Sequence, residues 1–267
     1  MNKSKKHVSK RTLALITAAV LLFASGGILG TRAALNITSD DLETDFVLDH
    51  VGVQLLEAHD GAYQRVGKEG ESGGELIAYM KTKPSDEVGH IVPGNLYDEH
   101  VAALNETGTE GVSPVDQYVR IVVRKYWADK NGKKDNTRDP SLIKLTYGSQ
   151  DYNQGPWQKN EKESTVECET YYYTSVLKAQ QQTPDLFNQL QLDAKVKDDV
   201  TVTESDWVIS GDKKKKKYTY TYAYSGLRVC VEAEAQALQT HSINRAIKSV
   251  WGVQNVSASG GTLTVGQ

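Results

Sequence analysis

Five histidines follow residue 33: His50, His59, His90, His100 and His241. None stands in His-Glu-x-x-His, the helical spacing that puts two imidazoles on one zinc ion with a carboxylate base beside them. Asp98-Glu99-His100 gathers metal-ligating types. Adjacent side chains do not converge on one ion in an ordinary loop, so the triplet reads as a solvated acidic loop. Gly70-Glu71-Ser72-Gly73-Gly74 has the Gly-x-Ser-x-Gly spacing, but it stands in a loop rich in Gly and Glu rather than at a strand-to-helix turn, so it does not read as an elbow exposing a serine nucleophile. Gly67-x-x-Gly70 and Gly73-Gly74 lie in a polar stretch and open no helix, unlike a phosphate-cradling loop. These patterns predict no catalytic residue, no metal and no cofactor.

Three other groups could bind or bond. Cys168 and Cys230 both fall in strand patterns without a nearby histidine, which argues against a thiol nucleophile. They are a candidate disulfide if their strands are neighbours; the faces they share with Val166 and Thr170, and with Arg228 and Glu232, differ in polarity. Lys213, Lys214, Lys215, Lys216 and Lys217 follow Gly211-Asp212. The run reads as a solvated turn whose lysines protect a sheet edge, or as an anion-binding patch for a wall polymer or extracellular DNA. Tyr218, Tyr220, Tyr222 and Tyr224 share one parity. Such a stripe reads as a cross-strand aromatic face packed inside the protein, or as a binding surface.

Period-two alternation dominates the elements that must carry these residues. Val51, Val53 and Leu55 mark a half-buried strand, and Tyr118 to Trp127 a strong one, with Val119, Ile121 and Val123 on one face and Arg120, Arg124 and Tyr126 on the other. Thr165 to Leu177 and Leu186 to Val196 read as further strands. Gly61 to Glu75, Asn105 to Pro114 and Ala128 to Pro140 read as loops, the last with an Asn131-Gly132 turn, and Ile91-Val92-Pro93-Gly94 as a turn. The tyrosine strand, Ser225-Gly226 and the alternation from Leu227 to Ala235 predict a hairpin. Ile243, Ala246, Ile247, Val250 and Trp251 form one helical stripe, with Ser242 or Thr240 to cap its start and Gly252 to end it. Many strands and one amphipathic helix predict a mainly β sandwich with the helix covering an edge or an end.

The first 33 residues read as an address. Met1 to Arg11 is basic, Thr12 to Gly30 is uncharged and apolar or small, and Thr31-Arg32-Ala33-Ala34 follows. That is the order of a secretory signal, with Thr31 and Ala33 at the small-residue positions and Ala34 as the new start. An uncleaved anchor is the competing reading, which Ser25-Gly26-Gly27 weakens by breaking the run. Six of the 31 basic residues and none of the 34 acids precede Ala34, so a chain beginning there carries nine more acids than bases. Such a balance disfavours general nucleic-acid binding, which needs clustered cations on phosphates. Residues 1–33 are thus a signal peptide, 34–50 an N-terminal arm and 51–267 a single β-sandwich domain.

The order of motifs resembles the TasA/camelysin (CalY-like) group of secreted Gram-positive proteins, which depend on a SipW-type signal peptidase. The resemblance rests on Gly30-Thr31-Arg32-Ala33-Ala34-Leu35, Val51 to Glu57, Ile91-Val92-Pro93-Gly94, Tyr118-Val119-Arg120-Ile121, Tyr171-Tyr172-Tyr173 to Leu186-Phe187, and Val231 to Gln239. It implies a jelly-roll-like sandwich and an extracellular, structural role, since some members assemble into fibres of the biofilm matrix. It also implies that the freed arm adds a strand to the next subunit, with Leu35, Ile37, Leu42 and Phe46 as the donor side chains, followed by Val47 and Leu48. The expected partners are further copies or other matrix proteins, with the signal peptidase during export, no nucleic acid and no membrane anchor after cleavage. A secreted binding module for a wall polymer, glycan or matrix protein is the alternative. The group's peptidase label is not carried over, because the zinc motif is missing.

Overall fold

The computed structural model describes residues 52–59, 61–68, 70–78, 91–109, 112–147, 155–210 and 213–266. Strands, numbered in chain order, build two five-stranded antiparallel sheets. The first sheet contains β1 (Val53–His59), β2 (Ala62–Arg65), β4 (Leu96–Asn105), β6 (Ile143–Thr146) and β9 (Phe187–Leu192), in the order β2-β1-β4-β9-β6. The second contains β3 (Gly73–Glu75), β5 (Gln117–Ala128), β7 (Trp157–Lys159), β8 (Cys168–Tyr173) and β14 (Arg228–Gln239), in the order β3-β14-β5-β8-β7.

Alternation decides what each sheet buries. Val119, Ile121 and Val123 of β5 face inward with Val229, Val231, Ala233 and Ala235 of β14, and meet Leu55, Val101, Ala103 and Leu190 of the first sheet in one core. Trp157 and Phe187 fill the same core, and the Trp157 indole N–H donates to Pro184 O at 3.0 Å. The expected sandwich is therefore present. The chain crosses repeatedly between the sheets: β4 and β5 are consecutive in sequence but lie in opposite sheets, as do β8 and β9.

A second apolar cluster covers the outer face of the second sheet. Tyr118, Tyr172 and Leu238 lie beneath Ile247, Trp251 and Val253, and beneath the hairpin of β15 (Val256–Ser259) and β16 (Thr262–Val265). The C-terminal helix starts as α over Ile243–Ala246 and continues as π over Ile247–Trp251. It thus covers a face, rather than an edge or an end. The wider π turn takes Val250 off the expected stripe and leaves it exposed. Gly252 ends the helix with φ 74°, as its position predicts, but Ser242 is left-handed and its side chain caps nothing.

Several expected elements differ. The expected loop from Gly61 to Glu75 contains β2 and β3, of four and three residues, too short to signal themselves, and β3 is mostly glycine. The Thr165–Leu177 strand shortens to β8. The Leu186–Val196 strand ends at Leu192, where Asp193 accepts from Lys195 N at 2.9 Å and opens a 3-10 turn, Ala194–Lys197. The predicted tyrosine hairpin does not form. β13 (Tyr218–Tyr222) pairs instead with β10 (Val200–Glu204), and β14 pairs over its whole length with β5. Tyr224, in the turn between β13 and β14, packs tilted against Trp127 with ring centroids 4.7 Å apart, which fixes the chain where the ribbon meets the sandwich.

Candidate interaction surfaces

The cleavage residues Thr31, Ala33 and Ala34 and the donor residues Leu35, Ile37, Leu42 and Phe46 lie outside the described residues. The place where that segment joins the sandwich is described. Gly52 O accepts from Glu106 N at 3.1 Å and from Gln117 Nε2 at 3.3 Å. Gln117 is the β5 residue opposite Gln239, at the end of β14. Backbone groups of a strand alternate in direction, and the odd-numbered residues of β14 face away from β5. Val231 O and Ala235 N bond to the β3 segment through Leu76 N and Ser72 O. Beyond it, the outward N–H and C=O groups of Ala237 and Gln239 have no backbone partner among the described residues. A three-residue β3 thus covers the middle of a twelve-residue edge, and the chain enters beside the open end.

The lysine run and the tyrosines share a two-stranded ribbon. Beyond β10 and β13 it continues as β11 (Val208–Ser210) and β12 (Lys213–Lys215), so Lys213, Lys214 and Lys215 lie on β12, and Lys216 and Lys217 join it to β13. Ser205 N donates to Lys217 O at 2.8 Å, and Lys217 N to Ser205 Oγ at 2.9 Å, tying the two halves. Lys216 is ion-paired to Glu204, and its ammonium sits 4.9 Å from the Trp207 ring centroid. One lysine of the run is therefore engaged within its own ribbon. The packed-inside reading fails for Tyr218, Tyr220 and Tyr222, which are all exposed, and holds for Tyr224, which packs against the core.

Charges that the alternation rule would keep outside are buried between the sheets. Lys125 shares the inward parity of Val123 and pairs with Glu169 Oε2 at 3.3 Å; the two side chains keep only 9% and 8% of their exposure. Lys159 Nζ reaches Glu169 Oε1 and Glu161 Oε2, each at 3.3 Å. These four charges, with Ser141 and Thr165, line a cleft of about 450 Å³. Ser164 at its wall donates from Oγ to Asn160 O at 2.7 Å and accepts from Thr170 N at 3.0 Å, so its hydroxyl is occupied. The cleft holds two cations against two carboxylates and no nucleophile aligned with a base.

No family model, no curated protein and no solved structure matches this chain. The reading of its surfaces rests on their own chemistry.

Asp98, Glu99 and His100 do not form the expected solvated loop: they lie in β4, with Asp98 exposed and Glu99 buried, and the β4–β9 register shifts between Asp98 and Val101. His100 Nδ1 lies 2.8 Å from Asp185 Oδ2, and Tyr63 O–H donates to Asp185 Oδ1 at 2.5 Å. This trio joins β2 and β4 to the loop before β9. Among the described residues no cluster of three or more metal-ligating side chains occurs, and no helix is long and apolar enough to cross a membrane. Sequence reasoning also missed the outer-face lock: Arg120 donates to Tyr172 Oη at 3.0 Å, Glu163 Oε1 at 3.2 Å and Gln236 Oε1 at 2.8 Å, and stands 5.0 Å from the Trp251 ring centroid.

The candidate disulfide is not made. Cys168 pairs with Arg124 and Cys230 with Tyr126, so both thiols project from the outer face with β5 between them. Strands two positions apart are separated by about 9.5 Å, beyond the reach of a disulfide. Both cysteines are free. Burial pushes the Cys230 thiol up, which keeps it protonated and unreactive. A thiol reagent at mildly alkaline pH is expected to modify Cys168 in the native protein and Cys230 only after unfolding. Two equally fast thiols, or none under denaturing, non-reducing conditions, would contradict this assignment.

Proposed function

We propose that the chain is a secreted structural protein of the extracellular matrix or cell surface that assembles by strand addition. After cleavage following Ala33, the arm from Ala34 pairs with the open end of β14 in a neighbouring subunit. The observation that supports this reading is the edge at Ala237 and Gln239, which has no backbone partner among the described residues and lies beside Gly52, where the sandwich begins. A strand added there satisfies outward N–H and C=O groups, and the apolar positions Leu35 and Ile37 supply an inward face. While residues 1–33 remain attached, the arm has no free start, so cleavage acts as the trigger. The resemblance to the TasA/camelysin group agrees with this role. Nothing in the polar cleft requires an enzyme.

The test compares a chain beginning at Ala34 with one carrying a short N-terminal extension and one lacking Ala34 to Val47. Size exclusion and negative-stain microscopy should show fibres from the first alone. Fibres from the deletion variant would remove the strand-addition mechanism. Stable monomers from all three would shift the reading to a secreted binding module.

A further inference from the structure

The ribbon of β10 to β13 carries a face that the other described residues leave exposed. Residues directly opposite one another share a face, and the register pairs Val200 with Tyr222, Val202 with Tyr220 and Glu204 with Tyr218. One side is therefore an aromatic and valine stripe, and the other bears Thr201, Thr203, Thr219 and Thr221. On the stripe Tyr220 is 59% exposed, Tyr218 51%, Val202 50% and Tyr222 49%, and Trp207 beyond its end is 61% exposed. An isolated two-stranded ribbon is marginally stable in water without a third strand or a packed layer. A threonine face suits solvent; three tyrosines and a valine in register do not.

We infer that this stripe is a docking face for the same stripe of a second copy of the chain, forming an isologous pair of ribbons packed face to face. Three considerations favour that occupant. At about 150–250 Å² per aromatic side chain, the exposed parts of these residues amount to roughly 500 Å² per copy. Two copies together thus reach about 1,000 Å², the least that a biological interface buries and the range of a weak, reversible one. The only charge on the stripe, Glu204, is already ion-paired to Lys216 of its own ribbon, so two stripes meet without an unpaired buried carboxylate. The lysine run lies at one end, which selects the antiparallel arrangement in which the two tips point apart and the like charges do not meet. A two-fold axis then passes close to the Val202–Tyr220 pair at the centre of the stripe. This contact needs neither the arm nor a fibre, and it goes beyond the strand-addition reading by supplying a second, lateral interface.

Sedimentation of the full chain across a wide concentration range tests the inference, beside a variant with Tyr218→Thr, Tyr220→Thr and Tyr222→Thr. Threonine keeps the strand preference while removing the apolar area. A reversible dimer is expected for the natural sequence, weakened about tenfold or more in the variant. Hydrogen exchange needs no mutation: the amides of β10 and β13 should gain protection as concentration rises, while those of β5 and β14 stay unchanged. A natural chain that remains monomeric would overturn the inference, as would a variant that dimerises equally well. So would ribbon protection that appears in a monomer only on adding alginate or dextran sulfate, which would assign the stripe to an acidic glycan. Loss of the dimer on deleting residues 34–47 would give the stripe to the arm instead. Dimers without fibres would refute strand addition and leave this inference standing.

Discussion

Gly73→Ala is expected to lower stability by about 3 kcal/mol, at the upper end of what overpacking costs. The β3 backbone lies directly against β14, and a Cβ at Gly73 would stand 2.1 Å from Ala233 O and 2.6 Å from Glu234 Cα. Both atoms belong to the middle of a strand held on its other side by β5, so neither can withdraw. The new methyl group must therefore push β3 away. That strains the bonds from Leu76 N to Val231 O and from Ala235 N to Ser72 O, both under 3 Å in the native chain. It also disturbs the buried Glu57 carboxylate, which accepts from Ile77 N at 2.5 Å and Ala78 N at 2.6 Å. Gly70 is the control: it has open space around it but φ of +85°, so alanine there costs only backbone strain, about 1 kcal/mol. Denaturant midpoints and exchange of the Leu76 and Ala235 amides would measure both. Equal stabilities for the two variants would show that β3 is not held this closely.

Glu169→Leu should be as damaging through a different cause, by about 3–5 kcal/mol. Glu169 is the shared counter-ion of Lys125 and Lys159. Removing it leaves the Lys125 ammonium between the sheets without a carboxylate, while Lys159 keeps Glu161. Lys125→Met is expected to cost clearly less, since Glu169 retains Lys159 and the methionine fills the space of the lysine stem. Combining the two changes should recover much of the loss from Glu169→Leu, because the stranded cation is gone. Urea unfolding of the three variants gives the comparison. A single Glu169→Leu variant as stable as the natural chain would mean that Lys125 escapes to solvent.

These two sites also show where sequence reading succeeded and where it stopped. The inward triplet Val119, Ile121 and Val123 was legible because period two is a local property, and the same rule located β14. Its partner was not legible. The Ser225-Gly226 turn favours a local hairpin, but β5 offers twelve residues of matching register, and the tyrosine strand was left to pair with Val200–Glu204. Lys125 was within reach: it has the parity of Val123 and therefore points inward in a strand whose charged residues otherwise point out. Its counter-ion on β8 depended on a register that no spacing encodes. Gly73 and Gly74 suggested a pliant loop, whereas at Gly73 the missing side chain is what lets two backbones touch. The tyrosine parity was correct, but burial depends on whether another layer arrives, and that is a tertiary fact.

The cover over Tyr118, Tyr172 and Leu238 is supplied by elements that follow β14 in sequence, Ile243 to Val265. During synthesis the central sheet cannot close until β14 has emerged, and its outer apolar patch then stays wet until the final hairpin follows. Arg120 and Gln236, which meet in the finished lock, are 116 residues apart in sequence. The sandwich must therefore wait, open and sticky, for the segment that follows β14. Loss of Ile243 to Val265, through stalled translation or proteolysis, would release a molecule with its sandwich built and one wall bare, a ready substrate for chaperones or for aggregation.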